Sequence, residues 1–414
     1  MEVFDIRPIR EEEFTKAVAV CAAAFGEHLT DEDELRISRL AFPLERSLCA
    51  FEDGMMVGTS TVLPLELTLP GGSTIPAGGL TWVGVLPTHR RRGILRQLVA
   101  AQFTEMVNHG EALSALLASE GNIYGRFGYG PATSLMSFSV EQAYAALALP
   151  FEDPGRVILL DADEAAVQLP PIYESLRTLR PGAVSRSPRW WDEYLYDPPR
   201  HREGGSEMFH AKHETAPGVA DGYVSYRVRD EWEGAIPLSS AIVVELVAED
   251  PLVYRALWDF MLNTDLCRTI SFSRGRVDEP LRWLLADPRR FRVDALADHL
   301  WLRLLEVPSA LAARTYGAPG RLVVEVTGTF PTASAGRFVL DVDPVGGGRA
   351  ECAPTAASPD LSLDLESLGA VYIGGVSLIA LAVGGRVREL TAGAVERADA
   401  MFRTSRAPYC ITMF

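Results

Sequence analysis

Apolar and polar positions switch between two rhythms along this chain, and each switch predicts an element. Residues 11–25 read as a helix with an acidic first turn. Two strand-like runs follow, 48–51 and 55–64, separated by the tight-turn pair Asp53-Gly54. Gly71-Gly72 makes a second turn, between 65–69 and 74–85. Trp82, Val83 and Val85 are β-favouring, and Pro87-Thr88 ends their strand. The period then changes: Ile94, Leu95, Leu98, Val99, Phe103 and Val107 form one helical face. A strand is expected at 113–118, and Met136, Phe138 and Val140 alternate with Ser137 and Ser139 as in a half-buried strand. Strand-like runs recur at 222–228 and 242–247, and residues 241–262 repeat the strand–loop–helix plan. Pro319-Gly320 is a turn that opens a last region, with strands expected at 321–327 and 336–342.

The join at 82–98 carries the most chemistry. Arg90, Arg91, Arg92 and Gly93 stand between strand and helix. A glycine at a helix start lets a ligand approach the backbone, and the free N–H groups and positive dipole end favour a phosphate. Arginines on the same loop add charge-assisted hydrogen bonds. The segment therefore predicts a pyrophosphate site without a Walker or dinucleotide glycine pattern. In the repeat at 241–262 the loop is Ala248-Glu249-Asp250-Pro251, and its acids disfavour the same ligand by like charge.

The run Arg90-Arg91-Arg92-Gly93-Ile94-Leu95 resembles the acetyl-CoA signature of the GNAT superfamily, Arg/Gln-x-x-Gly-x-Gly/Ala, with Leu95 replacing the usual small residue. Residues 119–130, SEGNIYGRFGYG, resemble the Tyr-x-x-x-Gly-Phe/Tyr segment that follows the splayed strand of that fold. There the first tyrosine protonates the departing thiolate, which implies Tyr124 as general acid, with Gly128 and Tyr129 completing the pattern. A phenol of pKa about 10 suits a thiolate of comparable basicity. Together, THRRRG and SEG-x-IYGRFGYGPAT are similar to the enhanced intracellular survival (Eis) acetyltransferases of actinobacteria, and the likeness covers essentially the whole chain.

That resemblance implies an α/β protein of mixed α+β sheets, with tandem GNAT domains followed by a sterol-carrier-protein-like domain. The divisions are 1–150 (catalytic), 151–300 (a degenerate GNAT domain that shapes the substrate pocket) and 301–414, where 359–375 carries the likeness. It implies acetyl-CoA as cosubstrate. The backbone of Val83, Gly84 and Val85 would pair with the pantetheine arm. Arg91, Arg92 and the amides of Gly93, Ile94, Leu95 and Arg96 would hold the phosphates, with Arg90 completing the basic loop. Ser119 and Glu120 would lie near the adenine or pantetheine end. The last residues, TSRAPYCITMF, stay apolar to the end, which predicts a buried terminus. The resemblance implies that the main-chain carboxylate of Phe414 is the general base; a strand closing the third domain is the plainer alternative. Met413 stands where some relatives carry an acid. The acceptor would be an amine-bearing small molecule or a lysine peptide, and the family implies a homohexamer. Glu27, Asp31 and Asp33 are candidates for binding a polyamine, although an acidic cluster equally reads as a solvated face.

Composition narrows the field. A chain of 414 residues suits two or three domains, and 48% hydrophobic with 23% charged residues is globular. A net charge of -16 and a pI near 5.0 disfavour nucleic acid and suit a cationic small molecule or basic peptide. The five cysteines are scattered and lack C-x-x-C spacing, as expected of reduced thiols, so no metal is expected. His210 and His213 lack a third ligand and read as part of a solvated strand or loop. The N-terminus has no signal-peptide pattern and no apolar run approaches about 18 residues, so a cytoplasmic protein without a membrane span is predicted. Two alternatives stay open: a lipid or sterol carrier with a vestigial GNAT half, and an acyltransferase using a longer acyl-CoA.

Overall fold

The computed structural model describes residues 2–28, 32–153, 155–328, 330, 334–344 and 347–414. Two units divide the chain. The first comprises Met1–Thr133, Pro181–Ser185 and His299–Phe414; the second comprises Ser134–Arg180 and Arg186–Asp298.

The first unit is built on a seven-stranded sheet. In spatial order it runs Asp5–Pro8 (β1), Ser47–Glu52 (β2), Met55–Thr68 (β3), Thr74–Val85 (β4), Leu113–Leu117 (β5), Leu300–Leu304 and Gly130–Pro131. Asp53 and Gly54 have φ of 49° and 80°, the primed-turn geometry that matches the twist of the β2–β3 hairpin. Alternation along β2 sends Cys49 and Phe51 into a cluster with Phe14, Ala17 and Val18 of the helix Phe14–Phe25. Leu48 and Ala50 go to the other face, against Ile94 and Leu98 of the helix Ile94–Asn108. The apolar stripe of that second helix is as expected except at its end, where Met106 is buried and Val107 is exposed, because the stripe drifts over four turns.

The same unit contains a five-stranded sheet in the order Ala350–Pro354, Gly336–Val342, Gly320–Thr327, Leu361–Asp364, Val387–Glu389. The two expected strands in this region are both present. Leu311, Leu368, Met401 and Phe402 fill its apolar face and share one core with Leu67, Ala77, Leu113 and Leu302 of the first sheet. Arg314 is fully buried there, and among the described residues its hydrogen-bond partners are main-chain carbonyls. Its guanidinium donates to the carbonyl oxygens of Thr315 (3.0 Å), Phe402 (2.9 Å) and Tyr372.

The second unit carries a seven-stranded sheet in the order Arg292–Asp298, Ser134–Glu141, Cys267–Gly275, Ser239–Val247, Val219–Arg229, Phe209–Ala216, Arg156–Leu160. Arg186 and Glu245 pair inside it at 2.5 Å, with Tyr173 and Trp190 stacked on the guanidinium at 3.6 and 4.0 Å. His210 and His213 are buried rather than solvated. His213 lies between Asp221 (2.6 Å) and Asp153 (2.9 Å), and His210 meets Ser225 at 2.8 Å. Burial alone would lower the His213 pKa, but the two carboxylates raise it.

Two strands sit in a different sheet from the one their place in the sequence suggests. Ser134–Glu141, read with the first part of the chain, pairs with Cys267–Gly275 and Arg292–Asp298 in the second sheet. Leu300–Leu304 pairs with β5 and Gly130–Pro131 in the first. Alternation identifies a strand; it carries no information about which distant edge completes it.

Candidate active site

β4 and β5 form a fork. They pair in parallel only at Ala77–Leu113, Gly78–Ser114 and Gly79–Ala115. On its other edge β4 stays paired with β3 as far as Gly58–Val85, but the register shifts opposite Thr59–Thr61 and Trp82 adopts φ 51°. Such a bulge increases local twist and bends the strand. Beyond Gly79 the free edge of β4 therefore turns into the gap between the strands.

The loop closing β4 is short. Pro87–His89 forms one 3-10 turn, Arg91 adopts φ 64° and Gly93 φ 88°, and the helix begins at Ile94. Gly93 is the capping residue and supplies no side-chain acceptor, so the first helical amides are left to a ligand. Fork, loop and helix start border one cavity of about 1100 Å³. Val83, Gly84, Val85, Arg90, Arg91, Gly93, Ile94, Leu95, Arg96, Ser119, Glu120 and Tyr124 all line it.

The three loop arginines have separate fates. Arg90 lines the cavity and donates to the carbonyl of Ala24 at 2.7 Å, tying the loop to the end of the helix Phe14–Phe25. Arg91 lines the cavity. Arg92 does not: it turns back to Glu52 and to Glu2, with Nε 2.9 Å from Glu2, and lies over the Phe4 ring at 5.2 Å. Those carboxylates raise the Arg92 pKa, and the guanidinium in turn lowers that of Glu52, so Arg92 fastens the loop from behind.

Tyr124 ends the short helix Gly121–Tyr124 and is buried. Its ring meets Tyr129 edge-on at 6.1 Å, and Tyr129 is fixed by a 2.6 Å hydrogen bond between its hydroxyl and Ser114 on β5. Burial raises the Tyr124 phenol to about 12, against the opposing effect of a hydrogen bond with Ser119. The phenol therefore stays protonated at ordinary pH and can serve as a proton donor.

The C-terminal segment lies in the same unit without forming a strand. Tyr409 N–H donates to Pro181 at 2.8 Å, and Cys410, Ile411 and Thr412 are buried. Met413 is exposed, contrary to expectation, because the segment turns its side chain outward. The Phe414 ring comes to rest on β4 at Gly79: a Cβ there would stand 3.2 Å from the ring and only 2.6 Å from Leu65. Gly79 is the last residue of β4 paired with β5. Phe414 is therefore at the base of the fork, although it does not line the large cavity. Glu27 and Asp33 are exposed and do not line it either; Asp31 lies outside the described residues.

Sequence reasoning passed over Ala24, Phe25 and Gly26, His89, Ile123, Arg126, Phe127 and Phe330, all of which line the cavity. Arg126 and Phe127 lie within the motif around Tyr124. Phe330 comes from the five-stranded-sheet region, and no local pattern marks it.

Comparison with known proteins agrees with this geometry. Two acetyltransferase (GNAT) domain families match residues 5–132 and 182–304, and the sterol carrier protein domain family matches 307–411. The chain is 38% identical over 421 residues to an uncharacterized N-acetyltransferase of Streptomyces griseus, covering 100% of both. It is 36% identical over 351 residues to N-acetyltransferase Eis of Mycobacterium tuberculosis, covering 84% of this chain and 83% of the relative. The crystal structure of Eis1 from Mycobacterium abscessus superimposes with a TM-score of 0.86 at 35% identity, covering 100% of each chain. A loop with a bare helix start, a forked sheet and a buried tyrosine thus meet in a chain that belongs to the Eis-type GNAT N-acetyltransferases.

Proposed function

We propose that this chain transfers the acetyl group of acetyl-CoA to a primary amine of a cationic, multi-amine acceptor, an aminoglycoside-like compound or a protein lysine. The observation that carries the reading is the convergence of the β4 edge, the uncapped helix start and Tyr124 on one cavity. Its length of exposed strand edge, its free amides and its arginine fit a pantetheine arm and a pyrophosphate. When bound, acetyl-CoA supplies a thioester carbonyl and a thiolate leaving group. Val83–Val85 hold the arm through their backbone groups. Arg91 and the amides from Gly93 to Arg96 take the pyrophosphate. The terminal carboxylate of Phe414, whose ring rests at the base of the fork, would accept the proton of the amine directly or through water. Tyr124 gives its proton to the sulfur. Catalysis is then positioning plus two proton transfers. The net charge of -16 favours a cationic acceptor. The apolar face of the five-stranded sheet is filled by Leu368, Met401 and Phe402, which favours a transferase over a lipid carrier.

The test is acetyl-CoA-dependent thiol release on a panel of aminoglycosides, polyamines and lysine peptides. Tyr124→Phe should lower kcat by about 10²- to 10⁴-fold with little change in the KM for acetyl-CoA. Since the active form is the protonated phenol and it titrates near 12, the rate should hold through pH 10 before falling. A short extension after Phe414 should also abolish turnover. Activity that survives the extension removes the terminal base, and activity that survives Tyr124→Phe removes the acid.

A further inference from the structure

Phe330 lies between the strands Gly320–Thr327 and Gly336–Val342, far in sequence from the arginine loop, yet its ring lines the same cavity. It is held on several sides. Its carbonyl oxygen accepts a 2.9 Å hydrogen bond from Arg303, whose Nε also donates to the carbonyl of Phe127 at 2.6 Å. The ring packs edge-on against Phe127 at 5.4 Å and lies 6.5 Å from Phe103. Over its face, at 4.6 Å, lies the guanidinium of Arg96, which is otherwise exposed on the first turn of its helix and also lines the cavity.

We propose that Phe330 is a positioning residue of the cosubstrate site, whose ring holds Arg96 ready for the 3′-phosphate of coenzyme A. This rests on the cosubstrate reading above. Coenzyme A has two anionic groups. The bare helix start and Arg91 suit the pyrophosphate, and Arg96 lies beyond that loop as a separate cation. A flexible surface arginine gives up rotamer freedom when it grips a phosphate; one already resting on an aromatic face gives up less. The planar fork of the guanidinium can stack on the ring and still present its N–H edge to phosphate oxygens. Arg126 also lines the cavity, 5.1 Å over Phe127, and is the competing candidate for the same charge.

The experiment is calorimetric binding of coenzyme A and of 3′-dephospho-coenzyme A to the full chain and its variants. The wild type should prefer coenzyme A. Phe330→Ala should weaken coenzyme A about threefold to fivefold and leave the dephospho ligand unchanged. Arg96→Gln should erase the preference, and Phe330→Tyr should restore it to the wild-type value. Arg96 is exposed, so the Gln variant decides the matter even where Phe330→Ala fails to fold. Equal losses on both ligands in Phe330→Ala would mean that the ring only packs, and overturn the proposal. A preference that persists in Arg96→Gln would hand the phosphate to Arg126 and overturn it as well. Wild-type protein that binds both ligands equally would refute the 3′-phosphate assignment alone, whereas binding neither would refute the cosubstrate reading itself.

Discussion

The helix Ile94–Asn108 starts at Gly93, which offers no side chain to its amides; the helix Pro251–Leu262 starts at Asp250, whose carboxylate accepts from Leu252 at 2.8 Å and Val253 at 3.3 Å. Both helices follow a strand that parts from its parallel neighbour. Ser239–Val247 leaves Cys267–Gly275 after Val243–Phe272, much as β4 leaves β5 after Gly79–Ala115. In the second unit the diverging ends are fastened by Arg180, which bonds Glu249 at 2.9 Å and Asp278 at 3.2 Å. Every helix start attracts an anion. What separates the two is whether that anion is a residue of the chain or must come from outside. A single carboxylate turns an open helix start into a capped one.

The largest effect should come from making the first join like the second. Gly93→Asp places a carboxylate where the pyrophosphate would sit, and acetyl-CoA affinity should fall roughly a hundredfold or more. Gly93→Asn, which tolerates the positive φ of 88° about as well without the charge, separates backbone strain from occupancy. Equal losses in the two variants would break the comparison. Next, the loop arginines should divide by where they point. Arg91→Gln should weaken acetyl-CoA about tenfold, whereas Arg92→Gln should change it by less than about twofold and show its effect as a lower Tm. A strong binding defect in Arg92→Gln would mean that the loop rearranges around ligand. The smallest effect belongs to the second join. Asp250→Ala removes a cap, which should cost about 1 kcal/mol in denaturant unfolding and leave the KM for acetyl-CoA unchanged.

Much of the site was legible because it is local. Turn chemistry at Asp53-Gly54, the change of period near Gly93 and the acids at 249–250 each act within a few residues, so the sequence displays them directly. The choice among Arg90, Arg91 and Arg92 was not legible. Arg92 is turned away by Glu2 and Glu52, both far along the chain. Phe330 escaped for the same reason: its role comes from Arg96 and Arg303, on two other elements, and a lone aromatic in a loop has no period to read. Helical periodicity likewise chose Val107 over the adjacent Met106, a difference that only the packed core decides.

The placement of Ser134–Glu141 and Leu300–Leu304 has a consequence for how the chain acquires its structure during synthesis. β5 is made early, but its neighbour in the sheet lies more than halfway to the end of the polypeptide. At about 5–20 residues per second, the nascent chain would wait on the order of ten to forty seconds with that edge unpaired. A stop anywhere before Leu304 leaves the fork without one of its flanking strands and leaves a hydrogen-bonding edge open to other chains. The first sheet is therefore a late product of translation. A fragment ending near Thr133 should aggregate rather than fold, and folding from the unfolded state should be slow, as high contact order demands.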